Sequence, residues 1–200
     1  MAKNSEWGAM AYLTESKYGR NGTAVTRNGE KVNNYITTGQ GNYVSKINQS
    51  TTNNVYGIYD TVGGAYEYTA GYVADSSRNY GNSFASTNPS DTNATNDKTT
   101  STQYATVYTK ATSNSLTDNY NANINKVFGD GIIETSTAGS ETKSWHTAYS
   151  YFVGLAGSYG CPFFLRGGIY FDPSAGSFNF YYNDGNSNSG DGFRVCLAVR

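Results

Sequence analysis

The chain has 200 residues and a formal net charge of −1, with 37% apolar and only 14% charged residues. That length suits a single domain, and a near-neutral charge excludes a basic nucleic-acid binder or a chain held electrostatically on anionic lipid. Gly, Asn, Thr and Ser make up 90 of the 200 residues and Tyr alone 19, so a core has to be built largely from aromatic side chains. Low net charge and abundant aromatics separate the chain from disordered sequences. No apolar run reaches the roughly 18–20 residues that span a bilayer, and nothing at the start reads as a signal peptide. Met1-Ala2-Lys3 runs directly into folded-type sequence, so any secretion signal or anchor is expected outside this chain.

The first element reads as a helix over 5–18. Asn4 or Ser5 is placed to cap it, Glu6 suits the first turn, and Trp7, Met10 and Ala11 share a face. Residues 21–54 are turn-rich, with short β-like runs at 34–38 and 42–47. The stretch 65–73 alternates as a strand does. Residues 74–123 hold a long run of Ser, Thr, Asn, Asp and Gly and read as a polar surface insertion, with a short helix from Thr117 or Asp118 to Val127. A further strand is expected at 131–135, then strands at 163–168 and 193–199. Phe178, Phe180 and Tyr182 would share one face of a strand in the segment between those two, and Asn179, Tyr181 and Asn183 the other. Aromatic residues then stand on both faces, which implies exposed rings.

Four motifs occur in order: Gly57-Ile-Tyr-Asp60, Gly63-Gly-Ala-Tyr-Glu-Tyr68, Leu165-Arg-Gly-Gly168 and Gly192-Phe-Arg-Val195. Together they resemble the formylglycine-generating-enzyme-like branch of the C-type lectin fold. Within that branch the chain is most similar to the variable proteins of diversity-generating retroelements, in which an R-G-G strand and a closing G-F-R-V strand bracket a hypervariable segment. The resemblance implies an α+β, C-type-lectin-like single domain with short helices and a small twisted antiparallel sheet, 74–123 being an insertion. In such proteins adenines of a template are replaced at random, and Asn codons of the form AAY reach most amino acids without creating a stop. Codons so derived never encode Lys, Gln, Glu, Met or Trp. None of these five lies among the 27 residues from Gly167 to Phe193, against 21 in the other 173, a rate that would place about three there.

The resemblance makes this a surface-displayed ligand-binding protein, a receptor-recognition domain or adhesin, rather than an enzyme. The expected ligand face comprises Ile169, Tyr170, Phe171, Asp172, Ser174, Ser177, Phe178, Asn179, Phe180, Tyr181, Tyr182, Asn183, Asn186, Asn188 and Asp191. Rigid aromatic rings there offer contact area, and Asn, Asp and Ser offer adaptable hydrogen bonds. The partner would be a protein or glycan on another cell, phage or host surface, with no nucleic acid and no membrane insertion. The expected location is extracellular, on the cell surface or virion, anchored to a pilus, envelope or phage tail. A structural pilus or phage-tail tip subunit with a fixed ligand is the alternative reading, and a formylglycine-generating-type oxidase a remoter one.

Glu67 reads as structural, since a carboxylate within a strand must be satisfied. Arg166 and Arg194, each in an otherwise apolar strand, are its candidate partners. No cofactor is expected, with Ca²⁺ near Asp60 as an alternative. The only cysteines, Cys161 and Cys196, leave a disulfide or two buried thiols open. Their spacing does not match the oxidase pattern, in which the cysteines lie between the R-G-G-like and G-F-R strands. The single histidine, His146, excludes a multi-histidine metal centre.

Overall fold

The computed structural model describes residues 1–29, 43–74, 105–109, 111, 116–124, 126–136, 145–148, 163–183, 185 and 188–196. Helix α1 (Asn4–Glu15) is capped by Lys3, whose backbone N–H donates to the Glu6 carboxylate at 2.8 Å. Asn4, expected as a cap, is fully buried instead. Its side chain accepts from the Thr69 hydroxyl at 2.6 Å and donates to the Tyr108 hydroxyl at 3.1 Å. The helix stops where Ser16 turns extended and its N–H reaches back to the Tyr12 and Leu13 carbonyls. Residues 16–18 therefore lie in the turns that follow it.

The protein is a mixed α/β domain around one open sheet. The strands are β1 (Tyr66–Ala74), β2 (Thr106–Thr109), β3 (Phe163–Arg166), β4 (Phe180–Asn183) and β5 (Asp191–Phe193), and a second helix, α2 (Leu116–Asn123), follows β2. The spatial order is β2-β1-β3-β4, and β5 also pairs with β1. The sheet is mixed where an antiparallel one is expected. On one edge β1 meets β5 along 66–68 and β2 along 71–74, both parallel, and on the other edge antiparallel β3. β3 and β4 are antiparallel, with Phe164 opposite Tyr182 and Arg166 opposite Phe180. Parallel neighbours need a connection of a dozen or more residues, and residues 75–105 separate β1 from β2 in the chain.

The described part of 74–123 is more than a surface insertion. Residues 75–104 lie outside the described residues, but Thr106, Val107 and Tyr108 are buried within the sheet. Asn123, at the end of α2, receives the Thr109 N–H at 2.7 Å and donates to the Thr109 carbonyl at 2.8 Å. Other expectations also change. Residues 131–135 form turns, not a strand, because Gly131 has φ +67° and Asp130 Oδ1 accepts the Ile132 N–H at 2.8 Å. Thr135 and Ser136 hydroxyls then return to the carbonyls of Gly131 and Ile132. Residues 43–49 form a kinked 3₁₀ segment rather than a strand, and the run at 34–38 lies outside the described residues. The closing strand ends at Phe193, which is 66% exposed, so 194–196 continue without strand geometry and 197–200 lie outside the described residues.

The core lies mainly on the α1 side of the sheet. Val73, Tyr108, Phe164 and Phe180 pack with Ile132 and Ile133, and Trp7, Ala11, Ala148 and Phe178 form an adjoining cluster. Gly8 permits this closeness, because a Cβ there would lie 2.1 Å from the Gly129 carbonyl oxygen. Tyr72, Val107 and Phe163 form a smaller cluster on the opposite face. Trp7, almost fully buried, donates from Nε1 to the Ser177 carbonyl at 2.8 Å. Trp7→Ala is expected to cost about 3–5 kcal/mol in urea unfolding. A loss below about 1 kcal/mol would show that the ring is not part of the frame.

Candidate ligand-binding face

The motifs meet in space. Gly63 and Gly64 have φ of +75° and +71°, and Gly167 and Gly168 have +82° and +79°, a conformation that residues with a Cβ avoid. These two turns dock on one another: the Gly63 N–H donates to the Gly167 carbonyl at 3.1 Å, and the Tyr170 N–H to the Gly64 carbonyl at 2.8 Å. Arg194 closes the frame from the chain's other end. Its Nε and Nη2 both donate to the Glu67 carboxylate, and Nη2 also donates to the Asp60 carbonyl at 3.2 Å. Of the two arginines expected to partner Glu67, Arg194 does so. Arg166 lies opposite Glu67 in the β1–β3 register, yet its side chain does not reach it. Nη1 donates instead to the Asp130 carbonyl at 3.0 Å and to Asn4 Oδ1 at 3.4 Å. The two guanidinium carbons sit 5.7 Å (Arg166) and 5.5 Å (Arg194) from the Trp7 ring centroid, so the indole joins both cations through its ring.

Segment 169–191 is held at both ends by this frame, and its interior divides sharply. Ser177, Phe178, Asn179 and Phe180 are buried, which corrects their assignment to the ligand face. The Phe178 ring meets Tyr12 at 5.6 Å and Trp145 at 5.2 Å, edge-on. Phe180 joins the main core. Asn179 is enclosed, with its amide donating to the Ser174 carbonyl at 3.3 Å. A chain that must cross beneath α1 to reach β4 buries whatever it carries there.

The flanks of this anchor remain accessible. Phe171 is 65% exposed and Asn188 is exposed, while Ile169, Tyr170, Asp172, Ser174, Tyr181, Tyr182, Asn183 and Asp191 are half-buried. Asn186 lies outside the described residues. Asp172 Oδ1 accepts the Ser174 N–H at 2.8 Å and its hydroxyl at 2.7 Å, fixing the turn at 172–174. Tyr170 and Phe171 meet edge-on at 5.0 Å. Tyr66, Tyr181 and Tyr182 form a row of near-parallel rings, with centroids 6.2 Å and then 4.6 Å apart. Asn183 is partly committed to structure, since Oδ1 accepts the Tyr68 hydroxyl and, at 2.9 Å, the Gly185 N–H. Beyond it a largely apolar hollow of about 400 Å³ is lined by residues that include Tyr68, Tyr72, Phe163 and Phe193.

Charge within the frame is confined and costly. Burial raises the Glu67 carboxyl above its ordinary range, against the opposing pull of Arg194. Asp130 is pushed up to about 6, chiefly by burial, although Tyr108 donates to its Oδ2. Burial lowers the fully enclosed Arg166 to about 10. Tyr66 is pushed up to about 12, first by burial and then by the negative charge of Asp172 and Asp191. Asp60 accepts from the Asn28 amide at 2.9 Å, and among the described residues no three His, Cys, Asp or Glu side chains converge. Cys161 lies outside the described residues, while the Cys196 thiol is free and exposed rather than buried. His146 pairs with Glu15 at 2.7 Å. Tyr66, Trp7 and Asp130 are the parts of this arrangement not anticipated from the sequence. The Gly129-Asp-Gly131 turn was a usable signal for Asp130, and the alternation at 65–73 for Tyr66.

Two measurements check this frame. Glu67→Ala leaves Arg194 without its carboxylate and is expected to cost about 3 kcal/mol; an unchanged urea midpoint would contradict the pairing. Because Asp130 holds its proton more tightly folded than unfolded, its contribution to stability rises as pH falls from neutral through about 6 toward the ordinary Asp range. The Asp130→Asn protein should lose that part of the pH dependence. Parallel stability–pH curves for the two proteins would refute it.

Compared with known proteins, the chain matches no family model, no curated protein and no solved structure.

Proposed function

We propose that the chain is a ligand-binding domain of the retroelement-diversified kind, displayed outside the cell or on a virion, with a C-type-lectin-like frame and a variable face drawn from residues 169–191. It acts by binding rather than by turnover. One observation carries this reading: both ends of the segment are clamped onto β1, while the side chains on either side of its buried anchor are accessible. The R-G-G end is held by β3 and the facing glycine turns, and the G-F-R end by β5 and the Glu67–Arg194 pair. Between them lie Tyr170, Phe171, Asp172, Ser174, Tyr181, Tyr182, Asn188 and Asp191, a set rich in rings and small polar groups of the kind that serve as paratopes.

On this reading the accessible positions of 169–175 and 181–191, such as Phe171 and Asn188, are free to change without disturbing the frame, whereas Asp172 and Asn183 also hold local turns. Ser177, Phe178, Asn179 and Phe180 are not free, because they are enclosed. The deciding experiment is deep sequencing of the 3′ end of the gene across a population of the source organism. Substitutions are expected to concentrate at codons of 169–175 and 181–191, to spare 177–180, and to leave 1–165 unchanged. An invariant segment would overturn diversification and favour a filament or tail-tip subunit with a fixed ligand.

A further inference from the structure

The chemistry of this face narrows the ligand, an inference that rests on the binding role proposed above. From Gly167 to Phe193 the sequence holds three Asp and no Lys, Arg or His. The other 173 residues hold 14 Lys and Arg against 12 Asp and Glu, so the negative charge of the chain is concentrated in this segment. Two of those carboxylates stand near the ring row: Asp191 lies opposite Tyr66 in the β1–β5 register, and Asp172 follows the Tyr170–Phe171 pair, whose Tyr170 N–H is bonded to the Gly64 carbonyl two residues before Tyr66. Asp172 is held in its turn by Ser174 and is adjacent to the edge-on Tyr170–Phe171 pair. Tyr66 on β1 and Tyr181 and Tyr182 on β4 present near-parallel planes, with interplanar angles of 20° and 24°.

Ring faces attract cations through their quadrupole, and a flanking carboxylate adds a charge-assisted hydrogen bond. An anionic ligand would meet like charge instead. A planar guanidinium fits such a row better than a compact ammonium does, since it stacks and donates in one plane. We infer that the face receives an arginine-bearing, basic segment of a partner protein, with the guanidinium against the tyrosine row and Asp172 and Asp191 as its counter-charges. Binding then weakens as salt rises, and the apolar hollow lined in part by Tyr68, two residues along β1 from Tyr66, offers room for a neighbouring side chain.

The test selects random dodecapeptides displayed on phage against the immobilised full chain. Affinities of the recovered peptides, and of labelled hexa-arginine and hexa-glutamate, are then read by fluorescence anisotropy. The D172N/D191N protein keeps an acceptor oxygen at both positions, so its turns are retained, while Phe171→Ser and Tyr181→Ala report on the face itself. Phe171 is mostly exposed, so its replacement leaves the core intact. The expected result is enrichment of Arg among selected peptides, saturable binding of hexa-arginine but not hexa-glutamate, and at least a tenfold loss in D172N/D191N. Peptides that lose affinity with Phe171→Ser or Tyr181→Ala, but show no Arg enrichment and bind D172N/D191N equally well, would overturn the cationic ligand and leave the binding face standing. Peptides indifferent to all of these substitutions, or none recovered, would overturn both.

Discussion

An indole shared by two guanidinium groups is the contact on which the rest of this structure depends. Trp7 comes from the first helix, Arg166 from the end of β3 and Arg194 from just beyond β5. These residues lie far apart in sequence and meet only when the sheet has closed. Each cation is also tied elsewhere, Arg194 to Glu67 and Arg166 to Asn4 and the Asp130 carbonyl. Enclosed charges of this sort contribute little net stability compared with apolar packing of equal volume. Their value is geometric: a guanidinium held by several acceptors and a ring tolerates few alternative placements. The strand ends bracketing segment 169–191 are thereby fixed relative to each other.

The division inside that segment follows from where the chain must travel. Leaving Gly168, it turns through 169–175 at the surface, passes beneath α1 at 177–180, and emerges as β4. The middle is bolted by Trp7 to the Ser177 carbonyl and by Phe178 to Tyr12 and Trp145. Since Trp7 grips a backbone carbonyl, that contact is indifferent to the side chain at 177. The Phe178 contact is not. A segment with an internal anchor behaves as two short loops rather than one long one, and each has less entropy to lose on being ordered.

The frame was largely legible in the sequence, the sheet less so. The glycine pairs at 63–64 and 167–168, the carboxylate at 67 and the arginine at 194 are signals that act locally or bear isolated charge, and they found their partners. Strand β2 was hidden because Thr106-Val-Tyr-Thr109 is short and sits in a polar stretch, and its burial is conferred by β1 and by distant core partners such as Phe163 and Phe164. The apolar Ile132 and Ile133 read as strand because hydrophobicity cannot distinguish a strand from a turn folded into the core; the Asp130 and Thr135 side-chain bonds decide that. Phe178 looked like a strand residue on an alternating face, but its environment is set by Tyr12 and Trp145, one of them more than 160 residues away in sequence. The face of a strand can be read from period; the depth at which the strand begins cannot.

The clamping of β5 alongside β1 has a consequence for chain length. β4 ends at Asn183 and β5 starts at Asp191, and of the connection between them Gly190 takes part in docking β5 on β1, its carbonyl accepting the Tyr66 N–H at 2.9 Å. Closing a longer flexible connection between fixed ends costs only logarithmically more, about 0.6 kcal/mol for each doubling. Insertions before Gly190 would enlarge the surface while leaving the strand pairings in register, so this architecture has room to vary in reach.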